Sequence, residues 1–335
     1  MAQAVRAWPL GLKSYYSRFG MVLVARRRAW LLVLPLLAAI VSNVSHALKL
    51  KPPKTSADLF LDDSAIKVAE TMLCPVKRFA DEAHDKGLKI LSSPKVGHGP
   101  STVADRLQAA PTCAVVSNSG VLLNHSYGSE IDSADLVFRF NEAPTGGEYA
   151  AAVGTREDIR IANQKVGNRY LESTNKTLVH PGTVYLLNKL YYLAPKDVVQ
   201  LNTSYPDALF CLGDAHKPFR VFSKRLLQQE FGQEHTIEHG LPTTGFEGIA
   251  LALALCGEVR AYGFPAGPNS ESAPFHYYGR LMTGNASENT NPKHSGITVF
   301  EKEYYRRLAM NGDTETSDVA ILPGFAKLSC ADPTV

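Results

Sequence analysis

The chain has 335 residues, with 35 Lys or Arg against 32 Asp or Glu and a formal net charge of +3. An apolar fraction of 45% with 20% charged residues is that of a globular chain, and it excludes disorder, collagen and a multi-span membrane protein. The charge is unevenly placed: the first fifty residues hold Arg6, Lys13, Arg18, Arg26, Arg27, Arg28 and Lys49 and no acid, whereas residues 51–335 hold 28 bases and 32 acids, a formal −4. A nucleic-acid binder carries its basic surface on the folded domain, so no nucleic-acid partner is expected.

The first element in chain order is a basic and then apolar arm. Arg26-Arg27-Arg28 precedes thirteen unbroken apolar residues, Ala29 to Val41. A spanning helix needs about 20, and the milder stretch from Ser42 extends the run to that length, with Trp30 at one interface. Basic residues ahead of the run keep the N-terminus cytosolic and send the remainder into a lumen. The expectation is a basic cytosolic tail over 1–28 and a signal-anchor helix over 29–48, in single-pass type II orientation. A cleaved signal peptide ending near Ser45-His46-Ala47 and an Arg-rich transit peptide compete with it. Sequons at Asn43, Asn124, Asn175, Asn202 and Asn285 agree with lumenal exposure, and Asn175, Asn202 and Asn285 are the glycosylation candidates. The five cysteines, Cys74, Cys113, Cys211, Cys256 and Cys330, have no C-x-x-C spacing, so zinc and thioredoxin-type chemistry lack support. In an oxidising lumen they allow two disulfides and one thiol left over.

Residues 49–57 form a polar linker with a Pro pair. Residues 58–91 are mostly helical in pattern, broken at Pro75 and Gly87, and a Ser/Pro/Gly-rich loop spans Ser92 to Thr102. Together these make a stem with cover helices over 49–100, ahead of one domain over 101–335. Inside that domain short apolar strands alternate with helices. The strands are Cys113–Val116, Asp135–Phe140, Ile159–Ala162, Thr183–Leu187 and Ala208–Leu212; then a helix, Phe246–Cys256, leads into a strand, Val259–Phe264. This alternation predicts an α/β fold, a Rossmann-like, mostly parallel sheet flanked by helices. Ligands of such sheets bind beyond the carboxyl ends of the strands.

Four groups of residues stand at those ends. Ser117-Asn118-Ser119-Gly120 follows the first strand: small residues let backbone N–H groups approach a phosphate or ribose, though the same sequence also makes a plain turn. It is neither G-x-G-x-x-G nor a Walker loop. Asn141 ends the second strand and alone reads as an Asx turn into Ala143-Pro144-Thr145-Gly146. Thr243-Thr244-Gly245, after Pro242, opens a helix, where free N–H groups and the macrodipole favour an anion, or where Thr simply caps. His276-Tyr277-Tyr278 and His294, with Glu301 beyond, supply histidines suited to a general base near neutral pH. No third metal ligand has sensible spacing, and no Asp-x-Asp occurs for a metal–nucleotide clamp, so no metal is expected.

In order and spacing these pieces resemble the eukaryotic sialyltransferase family. Cys113 to Asn163 is similar to its long motif through S-N-S-G, Y-G-S-E-I-D-S, F-N-E-A-P and V-G-T-R, and Leu241 to Phe264 to its short motif. His276-Tyr277-Tyr278 resembles the third motif, and His294 with Glu301 the very short one. The resemblance implies a metal-independent variant of the GT-A type glycosyltransferase fold, one catalytic domain on the lumenal side of a Golgi membrane. It implies inverting transfer of sialic acid from CMP-sialic acid to a hydroxyl of a glycan acceptor on a glycoprotein or glycolipid, with no cofactor. Asn118, Ser119, Gly120, Asn141, Thr243, Thr244, Gly245 and Tyr277 would bind the donor, His276 would lie near its phosphate and His294 would be the base. Cys113 and Cys256 would form the family's disulfide. Ser117 stands where the family usually has Gly, and Glu301 follows His294 by seven residues, a longer spacing than usual. A related CMP-activated acidic sugar as donor, or an inactive donor- or glycan-binding protein on the same scaffold, are the alternatives.

Overall fold

The computed structural model describes residues 63–82, 109–172, 179–188, 195–211, 213–233, 242–265, 273–278, 295–311 and 317–330. All of them fall in the larger of the chain's two units, Leu61–Val335. The expected tail, anchor and linker over 1–57 lie outside the described residues, among which no helix is long and apolar enough to cross a membrane.

Helix α1, Asp63–Leu73, runs into a 3₁₀ turn, Cys74–Val76, and on through helical residues 77–82. Pro75 is the second residue of the 3₁₀ turn, within a first turn where its missing N–H costs nothing, so the helix tightens there instead of ending. Gly87, the other expected break, lies outside the described residues. Then follow β1 (Ala110–Val116), a 3₁₀ turn (Gly120–Asn124), α2 (Gly128–Asp132), β2 (Leu136–Phe140), α3 (Ala150–Val153), β3 (Ile159–Asn163) and α4 (Gln164–Glu172). The chain continues through β4 (Val184–Asn188), α5 (Pro195–Ser204), β5 (Leu209–Cys211), α6 (Gly213–Phe231), α7 (Thr244–Leu255), β6 (Cys256–Tyr262), α8 (Ser295–Leu308) and β7 (Val319–Pro323).

The strands form one sheet in the order β5-β4-β3-β2-β1-β6-β7, parallel except where β6 meets β7. The mostly parallel sheet expected from the sequence is present, and the antiparallel edge strand β7 is an addition to it. Several boundaries also shift. β1 begins at Ala110, not Cys113, because Ala110 pairs with Cys256; for the same reason Cys256 leaves the helix and starts β6. The latter strand stops at Tyr262, because Gly263 turns the chain at φ +71°.

Side chains alternate across the sheet as a period of two requires. Cys113, Val115, Phe138, Phe140, Ile159, Ile161, Val259 and Ala261 face one core, together with Phe246, Ile249 and Leu253 of α7 and Tyr304 and Tyr305 of α8. Ala114, Val116, Val137 and Tyr262 face a second core beside α2 and α3, and Ala162, Tyr185, Leu187 and Phe210 a third. α7 is apolar on nearly every side and is buried over nearly its whole length, as a helix without a polar face must be.

Cys113 and Cys256 are bonded, their Cα atoms 6.0 Å apart, so β1 is tied to the α7–β6 junction as the resemblance implied. Cys74–Cys330, at 5.3 Å, fastens the turn after α1 to the C-terminal end. Cys211 is the thiol left over; burial in β5 pushes it up to about 12, which makes it inert. The unreduced chain should therefore show one titratable thiol, accessible only after unfolding, and Cys330→Ala should lower stability in denaturant unfolding by about 2–5 kcal/mol.

The fold removes Asn202 from the glycosylation candidates. It is only 9% exposed, its Nδ2 donates to the Phe210 carbonyl at 3.2 Å and its Oδ1 accepts the Phe210 N–H at 2.8 Å, which joins α5 to β5. Asn124, at the end of a 3₁₀ turn, is exposed, whereas Asn175 and Asn285 lie outside the described residues. Asn202→Ala leaves both Phe210 backbone groups unpaired and should cost about 2 kcal/mol in the same unfolding measurement.

Candidate functional site

After β1 the chain winds outward through β2 to β5 and then returns to the other side of β1 as β6, so the loops leaving β1 and β6 diverge. Such a reversal, at the carboxyl ends of the two strands, is where doubly wound sheets bind ligands. Ser117 N–H still donates to Tyr262 O at 3.0 Å, which extends the β1–β6 ladder by one residue before the split. The Ser117 hydroxyl then accepts Ser119 N–H at 3.1 Å, so the side chain that replaces the family's glycine holds the loop's own backbone.

The loop is stitched to segment 273–278. Gly120 N–H donates to Pro274 O at 3.0 Å, Tyr277 N–H to Asn118 O at 3.0 Å, and Asn118 Nδ2 to the Tyr278 hydroxyl at 3.1 Å. A Cβ on Gly120 would stand 2.1 Å from the Pro274 carbonyl oxygen, so only glycine permits this approach. The Asn118 Oδ1 is buried and has no hydrogen-bond partner among the described residues.

Asn141 ends β2 at φ 52°, the one non-glycine residue with positive φ among those described. Asparagine tolerates this left-handed backbone better than most residues. Its Oδ1 accepts Asn163 N–H at 3.1 Å, and its carbonyl takes Arg160 Nη1 at 2.7 Å and the Tyr170 hydroxyl at 3.2 Å. Arg160 is 2% exposed, pairs with Glu157, and also donates to Ala143 O at 3.0 Å; the Tyr277 hydroxyl donates to Pro144 O at 2.7 Å. The loop after β2 is thus gripped from below by a buried arginine and from the side by Tyr277.

A second buried arginine, Arg139, donates to the carbonyls of Val153 and Arg156, and burial lowers its pKa from the usual guanidinium value. Asp132 accepts the N–H groups of Thr155 and Arg156 and the Thr155 hydroxyl. Burial alone would raise the Asp132 carboxyl, but these hydrogen bonds hold it below the usual carboxylate range.

The start of α7 is capped by Thr243, whose hydroxyl accepts Phe246 N–H at 3.2 Å. The Thr243 N–H donates to Glu301 Oε1 at 2.7 Å and its hydroxyl to Glu301 Oε2 at 2.8 Å. Glu301 is 4% exposed; burial, reinforced by the Glu247 charge and opposed by the two Thr243 hydrogen bonds, pushes its carboxyl up to about 8. A Cβ at Gly245 would sit 2.9 Å from the Phe264 ring, and that ring packs edge-on against Phe140, the residue before Asn141. The helix start and the loop after β2 are therefore coupled through two aromatic rings.

His276 stacks on Tyr278, centroids 5.2 Å apart and 6° from parallel. Burial lowers its pKa below the ordinary histidine value, which favours the neutral ring, and burial raises the Tyr278 phenol to about 12. His294 lies outside the described residues, immediately before the first residue of α8, the helix that carries Glu301.

The model of glycosyltransferase family 29 (sialyltransferase) matches residues 77–312. The chain belongs to this family. Curated relatives in family 29 include human beta-galactoside alpha-2,6-sialyltransferase 2, 32% identical over 67% of this chain and 43% of that protein, and sialyltransferase-like protein 1 of Arabidopsis thaliana, 34% identical over 47% of this chain and 27% of that protein. The chain thus spans less than half the length of these relatives. A crystal structure of a mammalian sialyltransferase in complex with Gal-beta-1-3GalNAc-ortho-nitrophenol aligns at 23% identity with a TM-score of 0.42, covering 76% of this chain and 86% of that one.

Of the residues singled out in the sequence, Asn118, Ser119, Gly120, Asn141 and His276 converge at the carboxyl edge of β1 and β2, and Thr243, Thr244 and Gly245 adjoin them through Phe264. Tyr277 is placed differently from the expected donor contact. It is 4% exposed with its hydroxyl committed to Pro144, so it braces the loops, while half-buried Tyr278 is the more open phenol. The sequence reading missed Arg139, Arg160, Asp132 and the Thr243–Glu301 contact. The signal for the first two was an arginine inside an apolar strand, in VFRF and IRIA; the other two depend on contacts across 23 and 58 residues. Among the described residues no group of three or more His, Cys, Asp or Glu is placed to hold a metal ion. Gly120→Ala should push the loop off Pro274 and lower stability by about 1–3 kcal/mol, measured by denaturant unfolding.

Proposed function

We propose that this chain transfers sialic acid from CMP-sialic acid to a hydroxyl of a glycan on a glycoprotein or glycolipid, with inversion and without a metal. It would do so in the Golgi lumen, held there by the apolar segment 29–48. The observation that carries this reading is the convergence of the loop Ser117–Gly120, the Asn141 loop and segment 273–278 at the β1/β6 reversal, beside the open start of α7. Family membership supplies the reaction class.

The site's own groups divide the work. Asn118, held by Tyr277 N–H and the Tyr278 hydroxyl, positions the Ser117–Gly120 backbone against the nucleoside. At the helix start, Thr243 N–H is taken by Glu301 and Phe246 N–H by the Thr243 hydroxyl, so the amides of Thr244 and Gly245 are the donors that face an arriving phosphate. The positive end of the helix dipole adds to them. Neutral His276 donates a hydrogen bond to the same phosphate. As the acceptor hydroxyl attacks the anomeric carbon and the bond to the phosphate breaks, His294 takes the hydroxyl proton. The leaving monophosphate collects its charge against these fixed donors.

The test is transfer of labelled sialic acid from CMP-sialic acid across a glycan panel in the presence of a chelator, with the wild type and His294→Ala. Turnover that survives chelation and falls by about 10²–10⁴-fold in the variant supports the reading. Loss of activity on chelation, or a variant at wild-type rate, overturns it. Donor binding without product on any glycan would favour the binding-protein alternative.

A further inference from the structure

Glu301 is a buried carboxyl with an uncommon pair of partners. Both of its oxygens are occupied by one residue, the helix cap Thr243, at 2.7 and 2.8 Å, and no lysine, arginine or histidine among the described residues pairs with it. The titratable groups acting on it are Glu247, one turn into α7, and the Tyr305 phenol one turn along α8, and neither supplies a positive charge. A carboxylate here is isolated from water and from cations, which is costly. It also takes the Thr243 hydroxyl proton for itself. That leaves the Thr243 oxygen, which already accepts Phe246 N–H, with a lone pair and no proton for an anion at the helix start.

We propose that Glu301 is a positioning residue that carries a proton for the phosphate site: the donor's phosphate binds at the start of α7 together with one proton, held on Glu301. The proton comes from solvent and goes to Glu301 Oε2, which then donates to the Thr243 oxygen. The hydroxyl proton of Thr243 is released from Glu301 and swings to a phosphate oxygen. No other bond changes, and at a pH well above the Glu301 pKa one proton is taken up per anion bound. The same residue thereby turns Thr243 from an acceptor that repels phosphate into a third donor beside the Thr244 and Gly245 amides. This inference rests on the reading that cytidine monophosphate esters bind at the α7 start. The carboxyl's raised pKa, about 8, places the change where cytidine monophosphate itself no longer titrates, its second phosphate pKa being about 6.

The test is calorimetric titration of the full chain with cytidine monophosphate between about pH 7.5 and pH 9.5, in buffers of different ionisation enthalpy. If only the protonated form binds, Kd should rise about 20-fold across this range, and about pH 8.5 well over half a proton should be taken up per nucleotide. Glu301→Gln keeps a neutral side chain that can accept Thr243 N–H and donate to its hydroxyl, so its affinity should match the wild type at the lower pH and stay within twofold at the higher. The wild-type proton count stands without the variant, should the variant fold poorly. Nucleotide binding with no proton uptake and a flat profile, or a Glu301→Gln profile as steep as the wild type's, overturns the role of Glu301 and leaves the donor reading intact. Absence of nucleotide binding at every pH overturns the donor reading, and this inference with it.

Discussion

The backbone hydrogen bonds between the loop Ser117–Gly120 and segment 273–278 are the constraint on which the carboxyl edge of the sheet depends. Gly120 N–H on Pro274 O and Tyr277 N–H on Asn118 O join two stretches more than 150 residues apart, at the point where the strand order reverses. They are possible because residue 120 has no side chain and because β1 and β6 are held together by six paired positions and by Cys113–Cys256. Once this seam is closed, Tyr277 is fixed against Pro144, and the loop after β2 is fixed with it.

Charge is used inside this fold as a brace. Arg160 and Arg139 are 2% and 1% exposed and donate mainly to carbonyls of neighbouring loops, and Asp132 collects backbone N–H groups on the other side of that framework. A buried ion is expensive unless its hydrogen bonds are met, so each of these residues commits the loop it holds to one conformation. Glu301 is the exception in kind. Both of its oxygens are held by the neutral Thr243, and burial without a cation is what raises its pKa.

The split of charge seen in the sequence acquires a meaning here. Residues 51–335, formally −4, offer no general attraction to an anion such as the proposed nucleotide sugar. Under the proposed function, attraction would have to come from local, directed groups: the amides of Thr244 and Gly245, the positive end of α7 and the His276 ring. Such groups discriminate by geometry, and their strength depends on exclusion of water more than on ionic strength.

The sequence alone determined the α/β class and the strands up to β6, placed Thr243 at a helix start, and allowed two bridges with one thiol left over. These are local or compositional properties: period-two alternation, a small residue before an apolar helix, an odd count. The family resemblance added the Cys113–Cys256 pairing. Tertiary structure decided the rest. It buried Asn202 against Phe210, turned Tyr277 into a brace, extended β1 back to Ala110, added the antiparallel strand β7, and set Glu301 on Thr243. Each of these rests on contact between residues distant in the chain, and a hydrogen bond across 58 or 160 positions leaves no periodicity for a linear reading to find.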